Sequence, residues 1–152
     1  MLIVSLGMSA ANAQSSDKEQ QKENHIKSLI ESKNYVFKAQ TVFPLGGRSR
    51  ILTSDYDLRI LGDSVVAYLP YFGRAYSAPI DPSQGGIHFT STQYDYKMQP
   101  NKKGWNITIL PKDTRDAREL SLNITTSGYA TLMVSSNNRQ SISFNGYIAQ
   151  RK

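Results

Sequence analysis

The hydrophobic pattern changes period once along the chain, near Asn34. Before it, apolar side chains stand at Ile26, Leu29 and Ile30, spaced as one narrow stripe of an α-helix. The segment opens with Ser16-Asp17-Lys18-Glu19. There a hydroxyl can accept from an early backbone amide and an acid three residues on can reach back, so the box predicts a helix start. This helix is expected to end at Asn34, to dock by its last two turns and to leave its first half in water. After Asn34 apolar and polar residues alternate, the pattern of strands with one buried face. About nine short strands, with turn signals about every ten residues, predict a mainly β fold: an antiparallel β-barrel or β-sandwich with one N-terminal α-helix. The helix–strand alternation that a parallel sheet requires is absent.

The hairpins allow the register to be worked out. In "DYDLRILGDSVVAYLP", Gly62-Asp63 has glycine first, as a two-residue type II′ turn requires. That turn opposes Ile60 to Val65, Leu58 to Ala67 and Tyr56 to Leu69, all apolar or aromatic, and places Arg59 with Val66 and Asp57 with Tyr68 on the other face. Turn chemistry and burial pattern therefore agree. In "ELSLNITTSGYATLMV", setting Leu120, Leu122 and Ile124 against Val134, Leu132 and Ala130 needs an odd loop. Thr126-Ser127-Gly128 supplies it, with Gly128 in the left-handed region. The next connection, around Asn137 and Asn138, is also expected to be odd, pairing Leu132 with Ile142 and Ala130 with Phe144. Gly146 predicts a bulge or tight bend in the last strand.

Composition fits one folded domain. The 152 residues suffice for a single core, and 39% hydrophobic with 20% charged residues excludes a disordered chain. The absence of cysteine excludes disulfides, thiol nucleophiles, thiolate metal sites and a lipid-attachment cysteine. Leu2 to Ala11 is apolar and Ala11-Asn12-Ala13 has the small-x-small form of a cleavage site. Residues 1–13 are therefore expected to be a signal peptide, 14–34 the helix and 35–152 the β domain, and the protein to be periplasmic. The apolar run is shorter than the ~20 residues that span a bilayer. Net charge is +6. Asp17 to Lys33 is balanced, so the excess lies in the β domain. A scattered positive excess suits an anionic partner, such as an acidic ligand or the cell envelope, and not nucleic acid, which calls for a basic stripe.

Candidate chemistry is sparse. The two histidines, His25 and His88, lie in no zinc, calcium or phosphate motif, so no metal or cofactor is expected. Asp113-Thr114-Arg115-Asp116 reads as a solvated turn. No nucleophile–base or paired-acid pattern appears, and a non-enzymatic protein is expected. The segment that stands out is "YLPYFGRAYSAP", residues 68–79. Pro70 ends a strand, Gly73 frees the backbone, and Tyr71, Phe72 and Tyr76 surround Arg74. A guanidinium on aromatic faces keeps its in-plane donors available. Two roles fit this composition. One is an aromatic-lined mouth in which Arg74 meets an anionic group. The other is a corner plug whose arginine ties loop carbonyls while the rings cover the end of the core.

The run "LGDSVVAYLPYFGRAYSAP", then "GGIHF", then "GYATLMVSSNNRQSISFNG" resembles the bacterial family catalogued as domain of unknown function 4251. The resemblance extends over roughly residues 35–149. The family's motif positions fall on Gly62, Asp63, Leu69, Pro70, Tyr71, Phe72, Gly73, Arg74, Gly128, Asn138 and Arg139. The resemblance implies an exported protein of a Gram-negative bacterium and transfers no catalytic residue. Together these readings set the expectation of a binding module for a small amphipathic or anionic ligand, using Tyr71, Phe72, Arg74, Tyr76 and Arg139. The alternative is an envelope interaction protein whose basic surface binds a protein, peptidoglycan or lipopolysaccharide.

Overall fold

The structure, a computed structural model, describes residues 7–72 and 86–151, with side chains from Ser16 onward. One helix, α1 (Gly7–Ser32), precedes nine strands. These are β1 (Asn34–Pro44), β2 (Arg50–Leu61), β3 (Val65–Leu69), β4 (Ile87–Ser91), β5 (Tyr94–Asn101), β6 (Gly104–Pro111), β7 (Glu119–Thr125), β8 (Tyr129–Ser135) and β9 (Ile142–Gln150). They form one antiparallel sheet in the order β4-β3-β2-β1-β9-β8-β7-β6-β5, curled into a half-barrel.

Connectivity forces the curl. The edge strands β4 and β5 are consecutive in the chain, separated only by Thr92 and Gln93. Every neighbouring pair is antiparallel, so β4 and β5 run in the same direction and act as one kinked segment carrying both edges. In a flat sheet these edges would lie ~38 Å apart at the usual strand spacing. The three peptide links from Ser91 to Tyr94 reach at most ~11 Å. Asp113, just past β6, fastens the kink. It accepts from the Thr92 amide at 2.9 Å, the Gln93 amide at 3.3 Å and the Ser91 hydroxyl. The Lys112 amide donates to the Gln93 carbonyl at 2.8 Å.

The concave face is filled. Tyr35, Phe37, Leu58, Ile60, Ile107, Leu120, Leu122 and Phe144 are fully buried there. The helix closes the concave side as its stripe predicts: Ile26, Leu29 and Ile30 join the core, and most of the preceding turns are exposed. Its start differs from expectation. The helix already runs from Gly7, so Ser16 lies inside it and does not cap it. Its end comes two residues early, at Ser32. Lys33 takes the left-handed turn (φ 54°) and Asn34 is already in β1.

Two of the three worked registers hold. Asp57–Tyr68, Leu58–Ala67, Arg59–Val66 and Ile60–Val65 pair around Gly62, whose φ is 84°, and the ladder stops just short of Tyr56. Leu120–Val134, Leu122–Leu132 and Ile124–Ala130 pair around Gly128, at φ 94°. The β8–β9 register is displaced by two residues: Leu132 faces Phe144 and Ala130 faces Gly146. A two-residue slip leaves every side chain on the same face, so alternation alone does not choose between the two registers. The other flank of β9 is constrained by backbone crowding. A Cβ on Gly146 would sit 1.9 Å from the Lys38 carbonyl oxygen. Glycine is therefore required where β9 meets β1, beside the irregularity between Ala39 and Thr41. The bulge expected at Gly146 is there, but the extra residue is Gln40 of β1.

Candidate functional site

The turn after β1, the end of β3 and the β8–β9 connection meet at one end of the half-barrel, because β1 and β3 run toward it and β9 runs away from it. Tyr71 and Phe72 follow β3 past Pro70 and pack on the core rim. The Tyr71 hydroxyl donates to the Gln140 carbonyl at 3.0 Å. Arg139 lies with its guanidinium carbon 4.9 Å from the centre of the Tyr71 ring, donates to the Gly86 carbonyl at 3.0 Å and is only 8% exposed. This pair does what a corner does: it ties the β8–β9 connection to both ends of the segment leaving β3. The structure thus brings Tyr71, Phe72 and Arg139 together. Arg74 and Tyr76 lie outside the described residues.

Sequence reasoning missed Arg50. It opens β2 opposite the fully buried Val42, so its side chain starts from the concave side of the sheet. Its guanidinium carbon sits 4.5 Å from the centre of the Phe72 ring. The side chain is exposed and has no ion pair or hydrogen bond among the described residues. Ring contact orients such a cation and leaves its donor edge open to a carboxylate or phosphate. One signal could have found it: residues 35–54 contain Lys38, Arg48 and Arg50 and no acid. Nearby, the Asn138 side-chain oxygen is buried with no hydrogen-bond partner among the described residues.

His88 lies near this end but on the outer face of the sheet, exposed opposite Tyr68 while its neighbour Ile87 is buried. It stacks on Tyr68, ring centres 4.5 Å apart and planes 12° apart, and Tyr68 in turn stacks on Tyr56. Among the described residues no three histidine or acidic side chains gather as a metal would require, and no helix is long and apolar enough to cross a membrane. Grooves of 330–430 Å³ lie elsewhere, along the outer face of β1, β8 and β9 and beside the helix.

The strongest perturbations of ionisable groups lie at the helix C-terminus. The Tyr35 hydroxyl shares a hydrogen bond of 3.0 Å with Tyr96, which also donates to the Ile30 carbonyl at 3.1 Å. Burial, reinforced by Tyr96, pushes Tyr35 well above the ordinary phenol range, and burial pushes Tyr96 up to about 12. Tyr94 beside them donates to the Gly62 carbonyl and is also raised, chiefly by desolvation. These rings brace β5 against β1, the β2–β3 turn and the helix, a structural role.

The family model for the domain of unknown function DUF4251 matches residues 17–148. The chain belongs to the DUF4251 family. A DUF4251 protein from Bacteroides eggerthii shares the fold, with a TM-score of 0.61 at 16% identity, over 85% of this chain and 87% of that one. No curated protein matches the chain. The family match begins inside the helix and ends in β9, so DUF4251 takes in every strand and the corner built by Tyr71 and Arg139.

Proposed function

We propose that the protein is a non-enzymatic binding module of the bacterial periplasm. It receives a small anionic or amphipathic ligand at the end of the half-barrel formed by Arg50, Phe72, Tyr71 and Arg139. The observation that carries this reading is Arg50: an exposed guanidinium held on an aromatic face at 4.5 Å, with no carboxylate on it among the described residues. Tyr71 and Arg139 form the fixed floor, their donors engaged by Gln140 and Gly86. Phe72 is the apolar wall, and Arg74 and Tyr76 belong to the same segment of sequence. An ordered floor with an exposed cation beside it suits a ligand having one acidic group and an apolar body. Export to the periplasm rests on the apolar residues 2–11 and the Ala11-Asn12-Ala13 site.

Native mass spectrometry of protein purified from the periplasm tests this. A retained small molecule that is lost in Arg50→Ala, at unchanged melting temperature, supports the reading. A clean apo mass for the wild type overturns it. The second reading, an envelope interaction protein, is favoured by the filled concave face, which leaves outer surfaces as the place for a partner.

A further inference from the structure

The outer face at this same end carries an apolar patch that the fold leaves uncovered. Phe43, Leu45 and Ile51 are 41%, 62% and 81% exposed. Ile51 pairs with Thr41 in the β1–β2 ladder, and Phe43 stands two residues further along β1, so Phe43 and Ile51 share the convex face as diagonal neighbours. Phe43 also pairs with Ser143, which pairs with Met133 of β8. Met133 is another exposed apolar side chain on that face. Leu45 sits at the tip, in the turn that leads to the exposed Arg48 and Arg50. Arg50 faces the concave side and Ile51 the convex side, so one hairpin end bears cations and an apolar patch together.

The charge at the tip itself is one-sided. Residues 35–54 contain no aspartate or glutamate, yet they carry Lys38, Arg48 and Arg50, and the first acids along β2, Asp55 and Asp57, stand further from the tip, in the groove that Ile51 also lines. β1, β9 and β8, which are adjacent in the sheet, carry no acid at all. Exposed Phe, Leu and Ile on one hairpin end are costly to leave in water without a use. An acidic protein would pair with the cations, but a narrow hairpin end offers it little flat contact area. A bilayer interface takes in a narrow apolar tip and holds arginines at the level of its anionic headgroups.

We propose that the β1–β2 hairpin end is a membrane-contact finger: Leu45, Ile51 and Phe43 enter the interface of an anionic bilayer while Arg48 and Arg50 engage lipid phosphates. This gives a partner to the second reading above; it shares Arg50 with the ligand reading, but its apolar contacts at Leu45, Ile51 and Phe43 do not depend on that ligand.

Co-sedimentation of the full chain with vesicles tests it. One set is an equal mixture of phosphatidylglycerol and phosphatidylethanolamine, the other phosphatidylcholine alone. Binding to the anionic set is expected, weakened by salt, and partitioning of Leu45→Ser/Ile51→Ser is expected to fall at least about tenfold, since two buried aliphatic side chains are lost. Both positions are exposed, so this variant should melt with the wild type. As a local readout, Ile51→Trp should shift its emission to the blue on anionic vesicles. No binding to anionic vesicles overturns the proposal, as does binding that the serine variant leaves unchanged. Retention on immobilised polyglutamate without vesicle binding overturns it in favour of an acidic protein. Loss of vesicle binding by Leu45→Ser/Ile51→Ser with a retained small molecule at Arg50 supports the finger and leaves the ligand reading standing by itself.

Discussion

Gly146→Ala adds one methyl group at the junction of β1 and β9, where the chain's two ends meet in the middle of the sheet. The added Cβ would stand 1.9 Å from the Lys38 carbonyl oxygen and 2.8 Å from its carbon. Ordinary contact begins near 3.4 Å, so the two backbones must part by about 1.5 Å, the difference of the two distances. The obstacle is main chain, and no flexible side chain can move aside. β1 is also held on its other flank by β2, so it cannot retreat without disturbing a second ladder. Inserting a methyl into a packed site usually costs ~1–3 kcal/mol, and this geometry places the cost at the upper end, about 3 kcal/mol. For a domain of this size that lowers the melting temperature by roughly 6–12 °C. Urea titration followed by the fluorescence of the buried Trp105 measures it, with an unchanged m-value showing that the unfolding reaction is the same. Ser143→Ala, nearby on the same strand, is the control and should stay within about 0.5 kcal/mol. A Gly146→Ala variant as stable as this control would refute the close approach and, with it, the β1–β9 register.

Arg139→Ala should destabilise the protein by ~1.5–3 kcal/mol, the range for a lost hydrogen bond to a charged group, whereas Arg50→Ala should cost no more than ~1 kcal/mol, that of an exposed cation–π contact; parallel thermal melts check the contrast. Tyr35 and Tyr96 should stay neutral in the folded protein at pH values where free phenols ionise. The unfolded chain releases those protons near pH 10, whereas in the folded one Tyr96 is pushed up to about 12 and Tyr35 is held well above its ordinary value, so this stabilising contribution is complete below pH 10 and is lost as the pH rises through the folded values. Absorbance titration of phenolate formation should show two tyrosines missing from the first transition, and Tyr35→Phe should remove one of them. Asp113 is held below its usual range by the Ser91 hydroxyl and the amides around Thr92. Its contribution is present above about pH 3.8 and is lost as the pH falls through the lower folded value. Asp113→Asn should therefore lower the melting temperature at pH 7, with the gap to wild type narrowing at low pH.

Much of the architecture was legible in the chain alone. A change from helical to alternating spacing at Asn34 set the order of elements. Gly62-Asp63 and Gly128 set two registers, because a turn of known length leaves only one pairing with the apolar residues facing inward. The lack of cysteine limited the chemistry in the same way. The β8–β9 register was not legible, since a two-residue slip preserves every facing. Nor was the close approach of Gly146 to the Lys38 backbone, a β1–β9 contact between residues more than a hundred positions apart. Nor could the chain alone show that β4 and β5 carry both edges of one curled sheet, which depends on β1 pairing with β9. The same holds for the candidate site. Tyr71, Phe72 and Arg139 stood out by composition. Only the folded sheet brought Arg50 over Phe72, put Ile51 on the opposite face from it, and turned Arg139 from an available cation into a tie between loops. Periodicity is a local property, and it determines which way a side chain points. Which residue it then meets is settled by long-range strand pairing.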